Sequence, residues 1–280
     1  MRIVSSQIKR KATDMLKGNR LAGAVMVGVI IAASLAQSLL SQLLMTLLNI
    51  ELDTPSMQLF LNLHSIRDID YLLLQVVAAV AGFFVTGPLA LGFTRAVTRL
   101  CLGKRLQVID LFYYYRPDRY LRALGYLFRL QVRVYGWLAL AMLPALALQI
   151  GAEAIDLFVT GAEWLILAEM MYGAAGLLLI GGAVLFLFLV LRYFLSDYCY
   201  VLDGCATPRD CFAYSRALMK GHGGEIAALY LSFAGWYALC LLIFPLLYVQ
   251  PYFATAQAFA AVQLIGEDRR LSAELAEQQQ

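Results

Sequence analysis

Five stretches of the chain contain no Asp, Glu, Lys or Arg: residues 21–50, 71–94, 134–152, 170–191 and 226–266. About 20 apolar residues at a rise of about 1.5 Å each cross the roughly 30 Å hydrocarbon core of a bilayer. Each of the first four stretches therefore predicts one spanning helix. The last, at 41 residues, is long enough for two. Pro245 and Pro251 bracket residues 246–250, and a proline removes a backbone donor and clashes with the preceding turn. The stretch accordingly divides into a fifth helix over 226–244 and a sixth over 251–265. The sixth is short for a full crossing, so a half-span or a kinked helix is the alternative. Nothing resembles the alternating segments of about ten residues that build a transmembrane β-barrel.

The polar segments between these stretches have a period of their own. Thr207-Pro208 opens a helix, Thr as cap and Pro in the first turn, and Gly221 can close it in a left-handed conformation. Along it Cys211, Phe212, Ser215, Leu218 and Met219 fall at i, i+1, i+4, i+7 and i+8, while Arg209, Asp210, Arg216 and Lys220 lie largely on other faces. Val4, Ile8, Ala12, Met15 and Leu16 repeat the pattern near the N-terminus. Such helices lie in the interface plane with the apolar face toward lipid. Met15-Leu16-Lys17-Gly18-Asn19 parallels Leu218-Met219-Lys220-Gly221-His222. Asp110-Leu111-Phe112-Tyr113-Tyr114 parallels Asp210-Cys211-Phe212-Ala213-Tyr214. One repeated unit is then an interfacial helix, an outgoing span and a returning span. The expected fold is all-α: a polytopic transmembrane helix bundle of about six spans. It forms one integral membrane domain, 1–266, with units over 1–103, 104–203 and 204–266 and a polar tail, frayed or disordered, over 267–280.

Composition agrees, with 61% apolar residues and a mean hydropathy of +0.71. Charge adds orientation. Between the first two stretches lie Glu51, Asp53, Asp68 and Asp70 against Arg67 alone. Between the third and fourth lie Glu153, Asp156, Glu163 and Glu169 with no base. The other segments hold the remaining 21 of 22 Lys and Arg. Positive charge marks the cytoplasmic side. These two acidic loops are therefore expected outside an inner membrane, with the N-terminus and, after six crossings, the C-terminus in the cytoplasm. Ser34-Leu35-Ala36 looks like a signal-peptide cleavage site, but the apolar run continues to Leu48, well beyond a signal core. Basic residues arranged this way suit the anionic cytoplasmic leaflet and give no reason to expect nucleic acid.

Lys17-Gly18-Asn19, Gly87-Pro88-Leu89-Ala90-Leu91-Gly92, Asp110-Leu111-Phe112, Tyr120-Leu121-Arg122-Ala123-Leu124, Met219-Lys220-Gly221-His222, Phe233-Ala234-Gly235-Trp236 and Pro251-Tyr252 carry a resemblance. Together they resemble the domain-of-unknown-function 975 family of bacterial integral membrane proteins, from Lys9 to about Leu264. The chain departs from that pattern in a longer first outer loop and in spans rich in Ala and Leu. The resemblance implies a multi-pass membrane protein. It implies neither an activity nor catalytic residues.

Candidate chemistry is sparse. Lys9, Arg10, Lys11 and Lys17 on the N-terminal helix, and Arg129 and Arg133 one turn apart before the third span, are the candidate contacts for anionic lipid; planar guanidinium forks suit phosphate oxygens. Arg192, Asp197 and Asp203 flank the inner end of the fourth span and read as an ion-pair network, with a proton relay as the sharper alternative. His64 and His222 fall on opposite sides of the membrane. Cys199, Cys205 and Cys211 recur every six residues, too far apart for the usual zinc spacing, and read with Cys101 and Cys240 as reduced thiols. Gly173, Gly176, Gly181 and Gly182 thin the fourth span for close helix packing. Pro88 and Pro251 bend returning spans, as packing accommodations or as the walls of a cavity. No motif points to a catalytic site, a metal or a cofactor. The favoured reading is a non-enzymatic membrane-organising, regulatory or accessory protein. Its expected partners are membrane lipids, with another membrane protein or a second copy of itself as a further candidate. The alternative is a transporter or permease for a small solute or lipid.

Overall fold

The computed structural model describes residues 5–48, 69–159, 161–203, 207–239 and 243–278. Among the described residues the regular elements are all helices. They form α1 (Ser5–Leu16), α2 (Arg20–Leu47), α3 (Ile69–Cys101), a 3-10 segment (Val108–Tyr115), α4 (Pro117–Phe158), α5 (Ala162–Leu191), α6 (Ser196–Asp203), α7 (Pro208–Leu218), α8 (Gly223–Leu239) and α9 (Ile243–Gln278). Four segments are long and apolar enough to cross a membrane: Arg20–Leu47, Val76–Cys101, Pro117–Phe158 and Glu163–Leu202. They overlap the first four uncharged stretches. The fifth stretch yields α8, of 17 residues, and the less apolar α9. The first acidic loop from Glu51 to Asp68, with His64, lies outside the described residues, as do Val4, Cys205 and Cys240.

The chain divides into two compact units. One comprises Ser6–Leu124 and Phe233–Val262. Within it the apolar positions of α1, Ile8, Ala12 and Leu16, are 2%, 0% and 4% exposed. The sequence pattern predicts that face in lipid; the fold covers it with protein instead. The Lys9 ammonium lies 4.5 Å from the Phe233 ring centroid, and the Tyr252 hydroxyl donates to the Lys9 carbonyl at 3.4 Å. Gly18, at φ +85°, lets the chain turn directly from α1 into α2. Gln37 of α2 donates to the Ala78 carbonyl of α3 at 2.6 Å.

Pro88 sits inside α3 and has no amide to offer the Phe84 carbonyl one turn earlier. Tyr120 supplies the missing donor at 3.1 Å, and Tyr115 donates to the neighbouring Val85 carbonyl. Four residues after Pro88, a Cβ on Gly92 would overlap the Leu111 carbonyl oxygen, so only glycine lets the 3-10 segment lie this close to α3. Arg99 forms an ion pair with Asp110 across the same joint.

The fifth stretch breaks differently from the proline spacing. Pro245 occupies the first turn of α9, where its lost donor has no helical acceptor anyway. The helix then continues through Pro251, whose ring packs against Gly23 of α2; a Cβ there would lie 3.0 Å from that of Pro251. Val249, Thr255, Ala256, Ala258, Ala260 and Ala261 are all at most 1% exposed, so the part of α9 over 249–261 is largely enclosed.

The second unit includes Gly125–Ser232 with Gln263–Gln280. Here Glu153 and Asp156 lie in the last two turns of α4 and Glu163 in the first turn of α5. Of the four glycines in α5, Gly182 makes the close approach: a Cβ on it would lie 2.6 Å from the Ala141 carbonyl oxygen. Gly173, Gly176 and Gly181 face open space. The ends of α7 follow its sequence signals. The Thr207 hydroxyl accepts from the Asp210 amide at 3.4 Å, Pro208 is the first helical residue, and Gly221 adopts φ +98°. Residues 267–278 of the tail continue α9, and the Tyr214 hydroxyl donates to Asp268 at 2.8 Å. Burial, and secondarily Asp268, push the Tyr214 hydroxyl above the usual tyrosine range.

The hundred-residue parallel is partial. Leu111 and Cys211 are both fully buried. Around them the first copy is a 3-10 segment burying Asp110, Leu111 and Tyr114, whereas the second is an α-helix burying Cys211, Phe212 and Ser215. The buried face is thus shifted by one residue, and Phe112, 45% exposed, has no counterpart to the enclosed Phe212.

Candidate functional site

Helix α7 has two faces of different use. Its buried face enters an aromatic cluster: Phe212 stacks on Tyr126 of α4, with ring centroids 5.5 Å apart, and meets Tyr193 edge-on at 6.1 Å. Tyr126 stacks in turn on Tyr200 at 4.2 Å. The Ser215 hydroxyl donates to the Arg192 carbonyl at 2.8 Å and accepts from the Leu195 amide at 3.2 Å, fixing the joint between α5 and α6. The opposite face carries Ala213, Arg216 and Ala217 at i, i+3 and i+4, and Lys220 follows in the turn just past the helix end.

That face borders a groove of about 570 Å³. Its apolar wall is Phe188 and Leu191, in the last turn of α5, together with Met219. Its polar wall is Arg192, Arg216 and Lys220, and no carboxylate among the described residues lines it. Among the described residues none of these three cations is in an ion pair. Arg216 uses Nε to donate to the Phe212 carbonyl at 3.3 Å, which leaves both terminal NH2 groups unbonded. Gly223, the first residue of α8, also lines it.

The six basic residues singled out in the sequence are not brought together into such a site. Lys9 lies over Phe233, and burial holds its ammonium below the usual lysine range. Lys11 lies 5.1 Å from the Phe259 ring centroid, and Lys17 pairs with Asp14 at 2.7 Å. Arg133 lies 4.3 Å from the Phe212 ring centroid and donates to the Arg129 carbonyl at 3.0 Å. Arg10 and the Arg129 side chain are exposed. Four of the six cations thus have intramolecular partners, whereas Arg192, Arg216 and Lys220 line one groove. The i, i+4 spacing of Arg216 and Lys220 was the available signal.

The expected ion pair between Arg192 and Asp197 does not form among the described residues. Asp197 instead accepts a 2.6 Å hydrogen bond from Tyr126. Cys199 and Cys211 are buried within the unit, His222 meets Glu225 on its own turn at 3.4 Å, and the Asp203 side chain lies outside the described residues.

A family model described as protein of unknown function (DUF975) matches residues 1–260. The chain belongs to the DUF975 family. Several motifs that carried the resemblance now have physical roles: Gly18 turns α1 into α2, Gly92 seats the 3-10 segment, and Tyr120 satisfies α3. No curated protein and no solved structure matches the chain.

Proposed function

We propose that this DUF975 member is a non-enzymatic multi-pass protein of the bacterial inner membrane, organising or regulating processes within the bilayer through lipid and protein contacts. In this reading it crosses six times, as three units of interfacial helix, outgoing span and returning span, with both termini in the cytoplasm. The observation that carries the proposal is the use made of polar groups at the helix ends. Tyr115 and Tyr120 serve carbonyls beside Pro88, Asp110 serves Arg99, Asp197 accepts from Tyr126, and Ser215 pins a helix joint. Each holds one helix to another, as expected of a scaffold. Four helices of spanning length support the membrane reading, and the left-handed glycines after α1 and α7 support the recurring unit. A permease would share the repeats and the prolines; the packed seats of Pro88 and Pro251 favour the scaffold.

Reporter fusions test the topology. A reporter active only outside the cytoplasm is expected to be active after Ser56 or Glu163 and silent after Lys104, Asp210 or Gln280. Activity at Gln280 would leave five crossings. Comparing lipid composition and solute uptake in deletion and wild-type cells tests the role: a lost uptake with unchanged lipids would favour the permease.

A further inference from the structure

We infer that the groove between α5, α7 and the start of α8 binds the phosphate headgroup of an anionic phospholipid from the cytoplasmic leaflet. The phosphate would lie among Arg192, Arg216 and Lys220, with the start of an acyl chain along Phe188 and Leu191. The inference deepens the membrane reading above and rests on it.

Three features of the groove carry it. First, its charge is of one sign: three cations, with no carboxylate in the wall and no ion-pair partner among the described residues. Cations this close repel one another and are stabilised by an anion. The two guanidiniums offer planar pairs of donors that match phosphate oxygens. Second, charge and apolar surface are ordered along one line. Phe188 and Leu191 end an uncharged stretch of spanning length, and Arg192 is the first charge after it. A phospholipid has the same order, tails in the apolar layer and phosphate at its edge; a soluble phosphate would have no use for the apolar wall. Third, two of the three cations stand on backbone that is tied down. Ser215 holds the Arg192 carbonyl, and Phe212 anchors both the helix and the Arg216 side chain. Pre-placed donors lose less freedom when they bind than flexible surface lysines do. A volume of about 570 Å³ suits a headgroup with the beginning of a chain.

The test uses full-length protein in nonionic detergent, with dioleoyl phosphatidylglycerol titrated in and bound lipid read by native mass spectrometry. Arg192→Gln/Arg216→Gln/Lys220→Gln should lower the affinity by at least about tenfold. A control with the same charge change at exposed positions, Lys104→Gln/Arg105→Gln/Arg209→Gln, should stay within about twofold. Ala217→Trp, which fills the groove and keeps every charge, should lose binding as the first variant does, and serves if that variant does not fold. Phosphatidylcholine should bind weakly, and inorganic phosphate should not displace the lipid. Equal losses in the two triple variants, full binding by Ala217→Trp, or displacement by millimolar phosphate would each overturn the assignment. The reporter fusions test insertion separately, so a correctly inserted protein that fails here loses the lipid site alone.

Discussion

The Tyr120 hydroxyl donates at 3.1 Å to the Phe84 carbonyl, the group that Pro88 leaves without its helical amide. A donor from another helix thus repairs a defect that the chain itself introduces, and the bend becomes a point of attachment. A bend lining a water-filled path would leave that carbonyl to solvent.

The first prediction follows from this exchange. Tyr120→Phe should destabilise the protein by about 1 kcal/mol, the usual worth of a hydrogen bond between membrane helices. In a Pro88→Ala background the restored amide can serve the Phe84 carbonyl, so the same substitution should cost much less. Unfolding the purified protein in a mixed-detergent titration measures both. Identical costs in the two backgrounds would show that the hydroxyl and the proline are unrelated.

Gly92 gives a second, steric prediction. Because a Cβ there meets the Leu111 backbone, Gly92→Ala should destabilise by about 1–3 kcal/mol, the cost of overpacking. Gly136 is also helical but has nothing within 4 Å of a built Cβ, so Gly136→Ala should be neutral or stabilising by up to about 1 kcal/mol. Thermal unfolding of the two variants side by side decides it. Equal behaviour would mean that the 3-10 segment moves freely away from α3.

Local signals and distant ones were not equally legible. The ends and buried face of α7 could be read from Thr207, Pro208, Gly221 and a 3.6-residue period, because capping and amphipathicity act within one or two turns. The four long apolar helices were legible for the same reason. Pro251 misled because a proline costs most where nothing compensates it, and its compensating neighbour, Gly23, is far away in sequence. The length of α9 was hidden too, since a helix enclosed by its own protein needs small residues such as Ala256, Ala258 and Ala260 more than high hydropathy. The groove was half legible: Arg216 and Lys220 are four residues apart in the sequence, whereas Arg192 joins them only through the fold. Lys9 and Lys11 lie over the Phe233 and Phe259 rings, neighbours that the sequence does not place beside them.

Arg99 and Asp110 support a third prediction, one of asymmetry. The carboxylate is 6% exposed, and its second oxygen has no partner among the described residues, whereas the Arg99 side chain is 30% exposed. Removing the cation strands a buried charge; removing the carboxylate leaves an arginine that can reach solvent. Arg99→Met should therefore cost up to about 3–5 kcal/mol and Asp110→Asn distinctly less. The double variant should recover part of the Arg99→Met loss. A double variant as unstable as the sum of the two would show that the residues act independently.

Ser215 gives the fourth prediction, which concerns the joint between α5 and α6. Its hydroxyl is the side-chain acceptor for the Leu195 amide and the donor to the Arg192 carbonyl, and the residue is fully buried. Ser215→Ala removes both bonds without adding bulk. A buried amide left unpaired costs about 1–3 kcal/mol, so local opening at the joint should become about tenfold or more frequent. Hydrogen exchange of the purified protein should show faster exchange at Leu195, with the middle of α5 unchanged because its own helical bonds are intact. If Arg192 is held in place through this hydroxyl, the same variant should also weaken phosphatidylglycerol binding while keeping all three cations. Unchanged exchange at Leu195 would remove Ser215 as the pin of the joint, and with it the claim that the groove is fixed before a ligand arrives.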